Sequence, residues 1–247
     1  MKTITVLGLG NMGKPIYKHL SLCKNFVVKG CDKKDDINKC LSNSDGLIVA
    51  IKPQDFGKIC KTITIDLSDK VIISIMAGIS LSNLKKGLKC TKVVRAMSNL
   101  ALEVESSFTG WIADKNLSKG EKESVKMIFE LLGTEMELKD EKLLDTVTTI
   151  AGCGPAYFYK VCELMEEEAV KKGFTSKQAK VMVQQTLLGA SKVWNKSEKP
   201  SNTMRNNVTS KGGVTEAAID TMKKEGLDKA FKKGLSAANQ KLNQLNR

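Results

Sequence analysis

Near its start the chain reads Gly8-Leu9-Gly10-Asn11-Met12-Gly13, directly after the apolar run Ile4-Thr5-Val6-Leu7. Three glycines at this spacing, following a strand and opening a helix, suit the pyrophosphate of a dinucleotide. The first permits the tight turn, the second lets backbone approach the phosphates, and the third lets helix and strand pack closely. N–H groups at the helix start then face the negative charge. Asp32, 24 residues after Gly8 at the end of the second apolar run, is placed to accept hydrogen bonds from ribose hydroxyls, which favours NADH. Lys33 and Lys34 follow at once and could neutralise a 2′-phosphate, which favours NADPH, so both coenzymes stay open. Ala50-Ile51-Lys52-Pro53 follows the third apolar run, and Ala77-Gly78 follows the fourth. Carboxyl ends of strands line the ligand crevice of an open parallel sheet. Lys52 there could reach a phosphate or the nicotinamide ribose, and it fits a surface lysine on a rigid proline turn equally well.

A second glycine loop lies late in the chain, at Asn207-Val208-Thr209-Ser210-Lys211-Gly212-Gly213-Val214-Thr215-Glu216. It combines hydroxyls, adjacent glycines and a helix start. Thr215 is expected to cap that helix. The glycines let backbone N–H groups turn inward as an anion nest. The loop suits a small anion, most simply a carboxylate, with one hydroxyl left to hydrogen-bond.

The elements that must position these loops follow from hydrophobic periodicity. Apolar, β-branched runs at residues 4–7, 26–28, 47–50, 71–75 and 92–95 read as strands buried on both faces of a parallel sheet. Helical stretches lie between them, such as Ser80 to Leu88, and Ser118 with Glu121 forms a capping box. This alternation predicts an α/β fold with an N-terminal Rossmann-type doubly wound sheet over residues 1–148. The strands then stop. Pro155 opens a long helix closed by Gly173, Thr175 or Ser176 caps the next, Asn195 to Asn207 reads as a polar loop, and Leu227 to Leu245 reads as helical. Residues 149–247 are therefore expected to be an all-α dimerisation domain that carries the substrate loop. Its helices are apolar on more than one face, which implies burial against a second copy.

Composition excludes other classes. Seven irregularly spaced cysteines with a single histidine, His19, give no metal-ligand pattern, and the thiols read as reduced, in a cytoplasmic setting. His19, inside the first helix, reads as a structural or surface residue. The net charge of +13 is spread along the chain without interleaved aromatics, so a basic surface that attracts anionic ligands fits better than nucleic-acid binding. No apolar run approaches the roughly 20 residues of a membrane span, and the N-terminal apolar stretch is too short for a signal peptide.

Taken in order, Gly8-x-Gly10-Asn11-Met12, Ala50-Ile51-Lys52-Pro53, Gly152-Cys153-Gly154-Pro155-Ala156-Tyr157 and Asn207 to Thr215 resemble the pyrroline-5-carboxylate reductase family over nearly the whole chain. The resemblance implies hydride transfer from NADPH or NADH to the cyclic imine 1-pyrroline-5-carboxylate, giving L-proline in the last step of proline biosynthesis. It places Ser210, Gly212, Gly213, Val214 and Thr215 around the substrate, with the Thr215 hydroxyl as the catalytic group near the imine nitrogen. It puts Asn207 beside the nicotinamide and Glu141 near the substrate. It also implies a homodimer, with further assembly to a decamer. Three positions depart from the family pattern: Ser98 and Lys211 stand where proline is usual, and Cys153 stands where serine is usual. The first change is expected to loosen the Arg95-to-Asn99 turn. A β-hydroxyacid dehydrogenase of the 3-hydroxyisobutyrate type shares the opening motif. It requires a lysine where this chain has Phe158. A non-catalytic dinucleotide-binding protein has only the net charge in its favour.

Overall fold

The computed structural model describes residues 1–245. The last two residues of the expected helical domain, 246–247, lie outside the described residues. The chain forms two compact units, one from Met1–Pro155 together with the residues from Ala237 onward, the other from Ala156–Ser236.

The first unit is a seven-stranded sheet. Its strands are β1 (Thr3–Leu7), β2 (Val27–Cys31), β3 (Gly46–Val49), β4 (Val71–Ser74), β5 (Val93–Met97), β6 (Ser107–Ala113) and β7 (Gly133–Glu137). Their spatial order is β2-β1-β3-β4-β5-β6-β7. The five expected strands form and pair in parallel, while β6 runs antiparallel to β5 and parallel to β7. Helices α1 (Gly13–Leu22), α2 (Ile37–Ser42), α3 (Phe56–Thr62), α4 (Leu81–Leu88) and α5 (Lys119–Glu130) connect them.

The buried side chains explain why both faces need helices. On one face Ile4, Val6, Ile48, Ile73 and Val94 pack with Ile16 and Leu20 of α1 and Val125, Ile128 and Phe129 of α5. On the other, Leu7, Leu47, Val49, Ile72 and Val93 pack with Ile37 and Leu41 of α2, Phe56 of α3, and Leu84 and Leu88 of α4. Alternate residues of one strand thus enter opposite cores, each side chain contributing roughly 1.5–3 kcal/mol. The capping boxes at Ser118–Glu121 and Thr175–Gln178 are both formed.

Helix α6 (Leu143–Val147) runs into a single π turn over Thr148–Gly152 and then into α7 (Gly154–Lys171). The second unit takes most of α7, then α8 (Ser176–Asn195), α9 (Ser201–Asn207), α10 (Val214–Lys224) and the first half of α11 (Leu227–Leu245). The polar loop expected from Asn195 to Asn207 is corrected here: its second half is α9. Pro200, at φ −67°, sets the entry, and Ser201 to Asn207 then close helical hydrogen bonds despite their weak propensity. Among the described residues of this unit only Ala179 and Val183 are buried hydrophobics. Phe158 is 58% exposed, Val181 60% and Trp194 50%. Patches of this kind mark self-association. Among the described residues, no helix is long and apolar enough to cross a membrane.

Candidate active site

The glycine turn has the geometry that its spacing predicts. Gly8 leaves β1 at φ +90°, and its N–H donates to the Cys31 carbonyl at 2.8 Å. A Cβ on Gly8 would stand 2.9 Å from both the Ala50 carbonyl oxygen and Ile51 Cγ2, and one on Gly13 would collide with the Gly8 carbonyl. A Cβ on Gly10 would meet nothing within 4 Å. The first and third glycines are therefore required by the fold, whereas the second faces open space. Gly13 starts α1, and Met12 precedes it without a side-chain cap. The N–H groups of Gly10, Asn11 and Met12 find no acceptor among the described residues. Unpartnered donors beside a gap of this shape fit a pyrophosphate.

The sheet brings the other expected residues to the same edge. Because β1 lies between β2 and β3, the carboxyl ends of β2, β1, β3 and β4 are consecutive. Asp32 follows β2, Ala50 to Pro53 follow β3, and Ala77 follows β4, with Gly78 at φ +76°. The chain departs to opposite sides of β1, which makes this edge a topological switch point. Asp32, Lys33 and Lys34 are all exposed. The Asp32 N–H donates to Asp35 Oδ2 at 2.8 Å, so the ribose-side turn is closed by its own carboxylate. Ala50 donates to the Leu7 carbonyl at 2.9 Å, and exposed Lys52 leads into the 3-10 turn Pro53–Asp55.

Glu141 has two engagements that its sequence context does not announce. Its Oε1 accepts from Arg95 Nη1 at 2.9 Å and from the Leu81 N–H at 2.9 Å. The Arg95 side chain is 7% exposed and also reaches Asp145 at 3.4 Å. Arg95 ties the end of the sheet to the segment that enters α6. Nearby, Asn99 donates to the Ala151 carbonyl at 3.0 Å, and a Cβ on Gly152 would stand 2.9 Å from Met97 Cε. The Gly152–Pro155 segment is thus seated on the Arg95–Asn99 turn. Ser98, where proline is usual, is buried and accepts from the Thr109 hydroxyl at 2.9 Å. That bond replaces part of the rigidity a ring would supply.

In the helical unit, residues 207–216 form one cluster. Asn207 ends α9, Gly212 turns at φ +73°, and Gly213 accepts the extended conformation that precedes α10. The expected cap is corrected: the residue before the helix is Gly213, and Thr215 lies inside the first turn with no cap bond. Gly213 at ψ 171° allows the helix to begin at Val214, two residues earlier than a Thr215 cap would require. The Thr215 hydroxyl is therefore exposed and uncommitted. Gly213 donates to the Ser210 carbonyl at 2.9 Å, which closes the turn. The Gly212 N–H donates to Glu216 Oε2 at 2.6 Å. The loop thus already clasps a carboxylate, its own. Glu216 escaped the sequence reading, although its place four residues after Gly212 is the spacing of one helical turn.

His19 is structural, as expected. Its Nε2 lies 3.1 Å from the Glu103 carbonyl oxygen, its Nδ1 lies 2.9 Å from Glu105 Oε1 without hydrogen-bond geometry, and its side chain is 9% exposed.

Comparisons with known proteins agree with this geometry. Residues 141–245 match the family described as pyrroline-5-carboxylate reductase dimerisation. The chain is 32% identical to pyrroline-5-carboxylate reductase 2 of Bacillus subtilis over 214 residues, covering 86% of this chain and 75% of that protein. Among solved structures, the pyrroline carboxylate reductase of Plasmodium falciparum with NADP bound superposes at a TM-score of 0.89, with 26% identity, over 100% of this chain and 98% of that one. A pyrroline-5-carboxylate reductase from Coxiella burnetii gives 0.87 at 27% identity, over 99% and 98%. A glycine turn at a switch point, a carboxylate-clasping second loop and matches over most of the length lead to one assignment: the chain belongs to the pyrroline-5-carboxylate reductase family.

Proposed function

We propose that this chain reduces 1-pyrroline-5-carboxylate to L-proline, the last step of proline biosynthesis, and that its two glycine loops divide the work. Residues 1–148 hold the dinucleotide and residues 149–247 hold the substrate and a second copy of the chain. The bound nicotinamide supplies hydride to the imine carbon. Every other task falls to the chain's own groups. The turn from Gly8 to Gly13 receives the pyrophosphate on the N–H groups of Gly10, Asn11 and Met12. Asp32 and Lys33 meet the adenosine ribose, while Ala50 to Pro53, Ala77 and Asn207 line the path toward the nicotinamide.

Ser210, Gly212, Gly213 and Val214 hold the substrate carboxylate. The Gly212 N–H supports this reading, because it binds the Glu216 carboxylate at 2.6 Å. Substrate would displace Glu216 and take over its donor. The exposed Thr215 hydroxyl then stands ready to hydrogen-bond the imine nitrogen. An iminium arrives already protonated and needs little acid catalysis, which fits a site without a histidine. Holding two reactants in register is the main source of rate in such a site. Glu141 acts through Arg95 and the Leu81 N–H, holding the start of α4 beside the nucleotide edge.

The homodimer assembles further into a decamer in the cytoplasm on this reading. The carrying observation is the anion-clasping turn at Ser210 to Thr215. NADPH or NADH oxidation with 1-pyrroline-5-carboxylate, followed by absorbance at the reduced-nicotinamide band, tests it. Turnover with formation of proline is expected with at least one coenzyme, and no turnover with either overturns the reading.

A further inference from the structure

At the end of β2, beside the nucleotide edge, three side chains of metal-ligating type converge. Cys31 ends β2 and is fully buried, Cys40 lies on α2 and is half-buried, and Asp35 is exposed on the turn between them. Their ligating atoms all lie within 4.8 Å of one another. A zinc-class ion bound by two thiolates and one carboxylate needs donor atoms roughly 3.3–3.8 Å apart, from metal–ligand distances of about 2.0–2.3 Å. The three side chains need to draw together by only about 1 Å.

The backbone holding them is rigid. The Cys31 carbonyl accepts the Gly8 N–H at 2.8 Å. The Cys40 carbonyl accepts from the Thr5 hydroxyl at 3.2 Å and from the Ser44 hydroxyl at 3.3 Å. Asp36 caps α2 through the N–H groups of Asn38 and Lys39. Asp35 uses Oδ2 on the Asp32 N–H, and its second oxygen has no hydrogen bond among the described residues. Asp35 and Cys40 reach solvent, which provides an entry path. Two sulfurs and one oxygen, with room for water as a fourth ligand, favour a soft or borderline divalent cation over magnesium or calcium.

We infer that Cys31, Asp35 and Cys40 form a binding site for a thiophilic divalent cation of the zinc class, one that pins the Asp32–Asp36 turn to the end of β2. The site does not depend on what the protein reduces.

Cobalt(II) titration of the reduced, chelator-treated full chain tests the inference. One equivalent of cobalt is expected to give thiolate-to-metal charge-transfer absorption, and zinc is expected to erase it. Cys40→Ser should abolish the signal, and Asp35→Asn should weaken cobalt binding about 10-fold. Cys23→Ser, away from the cluster, should leave it intact. Zinc should raise the melting temperature of the wild type and not that of Cys40→Ser. Cys31 is left unaltered because its burial makes a folding defect the expected result. A charge-transfer band that survives Cys40→Ser overturns the site. So does an absent band in a sample that loses two free thiols to mild peroxide, which would make the pair a disulfide instead.

Discussion

Alanine at Gly10 and, separately, at Gly13 divides the room a ligand needs from the room the fold needs. A Cβ on Gly10 meets no atom within 4 Å, and Gly10 is absent from the positive-φ glycines. Gly10→Ala should therefore behave as a surface change, within about 0.5 kcal/mol of wild type, or roughly 2 °C in melting temperature for a chain of this size. The same methyl stands where a pyrophosphate would approach the backbone. Losing one charge-assisted hydrogen bond costs about 1.5–3 kcal/mol, a rise of about 10- to 150-fold in the coenzyme's Kd. Gly13→Ala has the opposite profile. Its Cβ would collide with the Gly8 carbonyl and sit 3.1 Å from the Ala50 Cβ. Overpacking of that kind costs about 1–3 kcal/mol, or roughly 2–10 °C. Thermal melts and titration of nicotinamide fluorescence read the two effects independently. A Gly10→Ala protein that binds NADPH and NADH as wild type does would refute the placement of the pyrophosphate, whatever Gly13→Ala does.

Other changes test the remaining assignments. Thr215→Ala should lower kcat/KM about tenfold, the scale of one hydrogen bond near 1.5 kcal/mol, with an unchanged melting temperature; steady-state kinetics decide, and an unchanged kcat/KM removes Thr215 from the mechanism. Arg95→Leu should lower unfolding free energy in urea by about 2 kcal/mol, less than the 3–5 kcal/mol of a fully buried pair because Glu141 and Asp145 are each 30% exposed and can reach water. Glu141→Gln should lower stability without raising KM for the imine, and a raised KM at unchanged stability would assign Glu141 to the substrate instead. Asp45 accepts the N–H groups of Thr3 at 2.9 Å and Lys2 at 2.7 Å, which hold its carboxyl below the usual range. Its contribution is present above the unfolded value, near 4, and is lost as pH falls through the lower folded value. Asp45→Asn should accordingly flatten part of the acid limb of a stability-against-pH curve. Val181→Lys with Leu188→Lys, seven residues apart on exposed α8, should shift the protein toward monomer in analytical ultracentrifugation.

Strands β1, β3, β4 and β5 were legible because each is buried on both faces and reads as an apolar run, whereas edge strand β2, with Val27 exposed, showed only the short apolar run that opens it. Strand β7, Gly-Thr-Glu-Met-Glu, has no such run, since it lies at the sheet edge, and only pairing with β6 defines it. Edge strands commonly carry charge that discourages further pairing. Strand β6 is interrupted by Gly110, where a Cβ would meet the Val147 side chain. Helix α9 was hidden by Ser and Asn residues that favour loops in isolation. The glycine turn was legible from spacing because its constraints are local: Gly8 and Gly13 each answer to residues within the turn or just after the adjoining strand β3. Arg95 was not, because its partners stand 46 and 50 residues away. The start of α10 was ambiguous in sequence, where both Gly213 and Thr215 can precede a helix. The backbone at Gly213 decides it.

The division of the chain into units also has a consequence in time. The residues from Ala237 onward belong to the same unit as Met1–Pro155, and Leu242 is buried at 4% exposure. During synthesis the sheet leaves the ribosome first, and the whole of Ala156–Ser236 is made before the segment that completes its unit. At roughly 5–20 residues per second this delay is on the order of 4–16 s. A nascent chain stalled before Leu242 would present the dinucleotide fold without the segment that completes its unit. Chaperone binding and limited proteolysis of stalled chains should therefore fall sharply once Leu242 has emerged, and not when the final strand has.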